Sequence, residues 1–125
     1  MKITGTAVSL NVAAADASAE FAKAHFGFTE AMSADGFVSL THPDNGLNVI
    51  FLRTGLGSFK PQSIAGSAGQ GTLIVLVVED IDAEFARIAA GGATVVTEPE
   101  TEPWGERYCQ FADPNGIVWQ LVQWV

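Results

Sequence analysis

Positive charge is scarce in this chain, and so are the residues that usually hold metals or form cross-links. Of 125 residues, six are Lys or Arg against fourteen Asp or Glu, a formal net charge of -8. Binding to a phosphate backbone depends on clustered cations, so nucleic acid is excluded as a partner. A cationic or neutral ligand is easier to attract than an anion, although an acidic balance also serves solubility by itself. A single cysteine, Cys109, excludes an intramolecular disulfide, and the only histidines are His25 and His42. No apolar run approaches the roughly 20 residues of a membrane span, and no charged leader with a long apolar segment stands ahead of the first strand. The expectation is a soluble, cytoplasmic protein with no membrane partner.

Apolar residues in regular patterns are plentiful. A hydrophobic content of 48% with 16% charged residues suits one compact domain over residues 1–125. Residues 4–12 alternate, with Val8, Leu10 and Val12 on one face and Ala7, Ser9 and Asn11 on the other, as a half-buried strand requires. A helix is predicted over 17–25, anchored by Phe21 and Phe26 and closed by Gly27. Two further strands are predicted at 36–41 and 47–53, around Pro43-Asp44-Asn45-Gly46.

The second half repeats this order. A strand is predicted at 72–78, a helix at 81–90 closed by Gly91-Gly92, and a short strand at 94–97. The chain then ends in a hairpin whose strands flank Asp113-Pro114-Asn115-Gly116, where proline presets one φ and Asn-Gly tolerates the positive φ of a tight reversal. Ala19-Glu20-Phe21-Ala22-Lys23 returns as Ala83-Glu84-Phe85-Ala86-Arg87, and the two Pro/Asp/Asn/Gly turns match in position. Together these support an internal duplication of a βαβββ unit. Between the halves, residues 54–71 are rich in Gly and Ser and read as a flexible connection, or as a lid that brings Phe59 or Lys60 to a ligand.

The paired plan, with Pro103-Trp104-Gly105 and Arg107 ahead of an Asp-Pro-x-Gly turn, resembles the vicinal oxygen chelate superfamily of glyoxalase I, extradiol dioxygenases and bleomycin-resistance proteins, and within it the bleomycin-resistance type. The resemblance covers nearly the whole chain. It implies an α+β fold in which two βαβββ modules, 1–53 and 72–125 joined by loop 54–71, form a curved mixed sheet around an internal cavity. On that pattern Tyr108, Gln110, Val118, Gln120 and Val122 face inward, as do Leu73, Val75 and Val77, while Cys109, Phe111, Ile117, Trp119 and Leu121 face the helix.

Metal-dependent members of the superfamily carry one ligand on each of four inner strands, because a divalent ion needs several N or O donors at bonding distance. The matching positions here hold Ala7 (or Ser9, two residues on), Ile50, Leu73 and Gln120, none a credible ligand. His25 and His42 lie elsewhere and read as surface histidines. Cys109 reads as a packed thiol, and Asp80 and Asp82 as helix-capping groups. Neither a Gly-rich phosphate loop nor a nucleophile elbow is present. Tyr108 could donate a proton and Arg107 could orient an anion, with no partner for either visible in the sequence.

The expectation is therefore a protein without metal or cofactor that binds a planar or hydrophobic small molecule, of the antibiotic or secondary-metabolite kind, through Phe37, Ile50, Leu73, Trp104, Arg107, Tyr108, Gln110 and Gln120. In bleomycin-resistance proteins the tryptophan matching Trp104 stacks on planar rings of the drug, and Phe37 matches a second ring-contacting position. Core packing is the alternative for Phe37, a pinned turn for Trp104, and Trp124 reads as interface or core. The resemblance also implies a homodimer. A lyase or isomerase with an unorthodox metal site, or a metal-free catalyst using Tyr108, Gln110 and Gln120, is the alternative function.

Overall fold

A computed structural model describes residues 1–125. The chain divides into two compact units, Met1–Ala68 and Gly69–Val125, and each holds one βαβββ module. The first runs β1 (Val8–Val12), α1 (Ala15–Phe26), β2 (Thr29–Ala34), β3 (Phe37–Thr41) and β4 (Asn48–Arg53). The second runs β5 (Leu73–Val77), α2 (Ile81–Ala90), β6 (Thr94–Thr101), β7 (Glu106–Ala112) and β8 (Val118–Trp124). Both sheets share one topology, with strand orders β1-β4-β3-β2 and β5-β8-β7-β6. In each, the first strand runs parallel to the last, and the other pairs are antiparallel.

Strand alternation sorts side chains between a helix-covered face and an open one. In the first unit Leu10, Val12, Val38, Leu40, Val49 and Phe51 are buried with Ala19, Ala22 and Phe26 of α1. Helix α1 ends where Gly27, at φ 75, takes a left-handed turn and its N–H donates to the Ala22 carbonyl. His42 is a correction to the surface reading. Its Nε2 lies 2.7 Å from the Phe26 carbonyl, and its Nδ1 accepts from the Asp44 N–H. The ring stands edge-on to Phe28 at 5.0 Å. Two hydrogen bonds fix the tautomer with the proton on Nε2, and the side chain joins the helix end to the β3–β4 turn.

In the second unit Trp119, Phe111 and Cys109 are completely buried beside Leu121, Ile81 and Ile88, and the Phe85 ring stacks on Phe111 at 5.5 Å. Helix α2 is capped twice. The Asp80 carboxylate accepts from the Ala83 N–H, and the Gln123 side-chain oxygen of β8 accepts from the Ile81 N–H.

Three strands differ from the sequence expectation. The first begins at Val8 because its pairing with β4 begins there, and residues 1–7 are exposed. Strand β2 has no apolar alternation, every residue being exposed, and it forms as the edge partner of β3. Strand β6 runs on to Thr101 through Pro99, since an edge strand with a register shift between Thr97 and Glu100 tolerates a missing N–H. The segment 54–71 contains a single 3-10 turn at Gln62–Ile64, and the Ala68 N–H donates to the Asn11 carbonyl of β1.

The β7–β8 reversal is pinned by a buried carboxylate. Asp113 Oδ1 accepts from the Asn115 and Ile117 N–H groups at 2.9 and 3.0 Å, and Oδ2 accepts from the Trp119 indole at 3.4 Å. The only positive φ in this turn belongs to Gly116, not Asn115. Replacing Asp113 by Ala leaves these buried donors without their acceptor, so a loss on the order of 2–4 kcal/mol is expected. Asp113→Asn should lose less because one acceptor oxygen remains. Urea unfolding checks both, with the midpoint falling and the slope unchanged.

Candidate functional site

On β8 the helix-facing residues Trp119 and Leu121 alternate with Val118, Gln120 and Val122. Across the sheet, Gln120 pairs with Val75 of β5 on one side and Gln110 of β7 on the other, and Tyr108 pairs with Val122. Leu73, Val75 and Val77 are 47, 46 and 65% exposed while Ile74 between them is buried, so the edge of this face offers bare apolar side chains. Val122 is the exception, being only 1% exposed. An open cavity of about 470 Å³ sits at the end formed by Leu73, Val118, Gly116 and residues 69–72.

The polar groups on this face are joined. Thr97 Oγ1 donates to Gln110 Oε1 at 2.7 Å, and Gln110 Nε2 donates to Gln120 Oε1 at 2.8 Å. The single Tyr108 hydroxyl proton is shared between Glu102 at 3.1 Å and Glu100 at 3.3 Å. The Glu102 bond, with burial and the negative charge of Glu100, pushes the phenol up to about 12. Tyr108 thus stays protonated near neutrality and serves as a donor, not a base.

Trp104 projects from the β6–β7 turn and is 67% exposed. That turn is tied down by Gly105, whose carbonyl accepts from the Val125 N–H at 2.9 Å and whose φ is 88. Val125 O lies 2.9 Å from where a Cβ would stand, so only glycine fits there. Trp124, on the Gln120 side of β8 by alternation, is 60% exposed and not a core residue.

Arg107 is a second correction. It pairs with Gln123 in the alternation that faces α2, opposite to Tyr108 and Gln110. Its guanidinium grips both oxygens of Asp82 at 3.0 and 2.7 Å and bonds Thr101 at 3.0 Å. The guanidinium holds Asp82 below the usual carboxylate range, and Asp82 raises Arg107. The cation is occupied on the helix side and is not placed to orient a ligand on the open face. Burial likewise pushes the Cys109 thiol up to about 11, so no thiolate forms near neutrality.

The sheet of the first unit holds the two other expected residues. Phe37 and Ile50 are half-buried on its open face, away from α1, with Phe37 opposite Leu52 and Ile50 between Ser9 and Ser39. The positions that correspond to the metal ligands of the resembled family do not fit a metal. Ile50 and Leu73 have no donor atom, Ser9 offers a neutral hydroxyl, and the Gln120 oxygen already accepts from Gln110. Within neither unit do three or more His, Cys, Asp or Glu side chains form a group that could hold an ion.

Thr97 and Trp124 are members of the open face that sequence reasoning did not single out. The β6 register shifts obscure the parity of Thr97, whereas continuing the period of two past Gln120 reaches Trp124. Because Tyr108 is the only tyrosine, its phenol can be titrated alone by absorbance near 295 nm. The midpoint should lie near 12, and Glu102→Gln should bring it back toward the ordinary value of about 10, with circular dichroism following the fold. An unchanged midpoint in the variant would remove Glu102 as the cause.

A profile described as Glyoxalase/Bleomycin resistance protein/Dioxygenase superfamily matches residues 5–121. Among curated proteins, an uncharacterized protein of Mycobacterium bovis is 46% identical over 66 residues, 53% of this chain and 41% of that one. A Mycobacterium tuberculosis counterpart gives the same identity over 37% of its length, so the match spans about two fifths of these relatives. Among solved structures, a glyoxalase/bleomycin resistance protein/dioxygenase from Nocardioides superposes with a TM-score of 0.81 at 23% identity, over 100% of this chain and 85% of that one. TioX from a Micromonospora gives 0.73 at 25% identity over 98% and 99%. TnmS3, described as an antibiotic binding protein from a Streptomyces, gives 0.77 at 23% identity over 100% and 99%. No helix is long and apolar enough to cross a membrane. With one profile spanning almost the whole sequence and two βαβββ modules of identical topology, the chain belongs to the glyoxalase/bleomycin resistance protein/dioxygenase superfamily.

Proposed function

We propose that this chain is a metal-free binding protein that sequesters a small planar or hydrophobic molecule of the antibiotic or secondary-metabolite kind, in the manner of the bleomycin-resistance branch. The observation that carries this reading is the open face of the second sheet, where exposed Leu73, Val75 and Val77 stand beside the Gln110–Gln120 amide pair. Apolar side chains around a few fixed polar groups are the general make-up of a small-molecule site. Sequestration needs only that such surface be covered, and burying one aliphatic side chain contributes about 1.5 kcal/mol or more. The fold is one that a neighbour described as antibiotic binding also has.

Trp104 adds an exposed ring for stacking, worth on the order of 1 kcal/mol beyond burial. The carboxylates of Glu100 and Glu102 beside Tyr108, in a chain of net charge -8, favour a cationic guest. Phe37 and Ile50 are proposed as contacts on the open face of the first sheet. Within this reading Arg107 supports α2 through Asp82 and does not touch ligand.

Titration against planar cationic and neutral aromatics, read by tryptophan fluorescence in a Trp124→Phe background, tests the reading, because the third indole, Trp119, is fully buried. Saturable quenching is expected, and calorimetry of Trp104→Ala, which has lost the exposed reporter, should show binding weaker by about tenfold. A calorimetric affinity indifferent to Trp104→Ala would sink the stacking role, and silence across the panel by both methods would sink the binding function. We also propose a homodimer, supported by β5, an edge strand of its sheet with exposed apolar side chains. Light scattering should give twice the chain mass, and Val77→Lys, at 65% exposure, should shift it to the monomer. A monomeric wild type would end this proposal.

A further inference from the structure

A line of side chains crosses the second sheet at one level: Thr97 pairs with Gln110, Gln110 with Gln120, and Gln120 with Val75. Hydrogen bonds run along this line in one sense, from the Thr97 hydroxyl to Gln110 Oε1 and from Gln110 Nε2 to Gln120 Oε1. The Gln120 oxygen thereby takes one bond on its Gln110 side, and Gln120 Nε2, whose two N–H groups only donate, is left for the far end of the line. The next residue along the line is Val75, which has no side-chain acceptor, and its neighbours Leu73 and Val77 on β5 have none either.

We propose that the molecule bound on this face carries a neutral acceptor oxygen, of the carbonyl kind, where it meets Gln120 Nε2, and that Gln110, by the sense in which its amide is turned, is the positioning residue that decides whether Gln120 shows donor or acceptor. The inference rests on the binding function proposed above and adds the chemistry of the ligand. A ligand that covers Gln120 without an acceptor strands a donor among aliphatic side chains, whereas a ketone satisfies it. Direction matters because the relay can be reversed. With both amides turned over, the two bonds persist, since the Thr97 hydroxyl can accept as well as donate, and Gln120 then shows oxygen. An acceptor-only side chain at position 110 forces that reversed state, because it can only receive the Gln120 N–H.

The test uses the full chain, with 9-fluorenone and fluorene as a pair of planar probes that differ by one carbonyl oxygen. In the ligand-free protein, side-chain amide exchange followed by ¹⁵N NMR at neutral pH should show the Gln110 amide protected and the Gln120 amide exchanging freely. In Gln110→Glu the Gln120 amide should become the protected one. The wild type should bind fluorenone about tenfold more tightly than fluorene, and Gln110→Glu should bring the ratio to about one without contacting the probe oxygen. Gln120→Glu, which keeps the bond from Gln110 but removes the outward donor, should do the same and serves if the first variant is unstable. A protected Gln120 amide in the wild type, or a fluorenone preference that survives both variants, overturns the inference. Equal binding of the two probes by the wild type overturns the acceptor requirement and leaves the binding function standing; binding of neither overturns both.

Discussion

Full burial of Trp119, with its indole directed to the Asp113 carboxylate, sets the orientation of β8, and the strand's period of two does the rest. Once that ring is on the helix side, Leu121 must follow it, and Gln120 must stand on the opposite face. A slip of one residue would place a carboxamide among Phe111, Ile81 and Ile88, and would put the largest aromatic of the core into water. The site therefore borrows its register from the core. Asp113 contributes twice, closing the turn through two backbone N–H groups and anchoring the ring that fixes the face.

Duplication explains much of the remaining architecture. Each module joins its first and last strands in parallel, and each ends its sheet in a bulged strand, β2 or β6. The sequences have diverged within that frame. The first module links its helix end to a turn through His42, while the second caps its helix with Asp80 and Gln123 and braces it with the Asp82–Arg107 pair. These are different solutions to one requirement, namely that the polar ends of a helix packed on a sheet find partners.

Legibility in the sequence followed local chemistry. Helix α2 was readable to the residue because Asp80 and Gly91-Gly92 punctuate it, and the terminal hairpin because its turn and alternation agree. Strand β2 was not readable, since Thr29–Ala34 is exposed throughout and owes its conformation to β3. Arg107 shows how alternation can outrank resemblance. It shares parity with buried Cys109 and Phe111, so the period of two separates it from Tyr108, and Asp82 supplied a partner 25 residues distant in sequence. Gln110 and Gln120 were legible as residues of one face, but the bond between them and the part of Thr97 were not, because the β6 bulges interrupt the count.

The hydroxyl that completes the amide line belongs to the outermost strand of its sheet, next to a bulge, where packing constrains little. Ordinarily a change in what a protein accepts must be made among residues that also hold it together, and selection for novelty then competes with selection for folding. On the proposed binding function, the selective element is spread from a well-packed strand to a permissive margin. Variation at that margin can reach the face through the line of amides while Trp119 and its neighbours stay as they are, so that adaptability and robustness are assigned to different parts of one sheet.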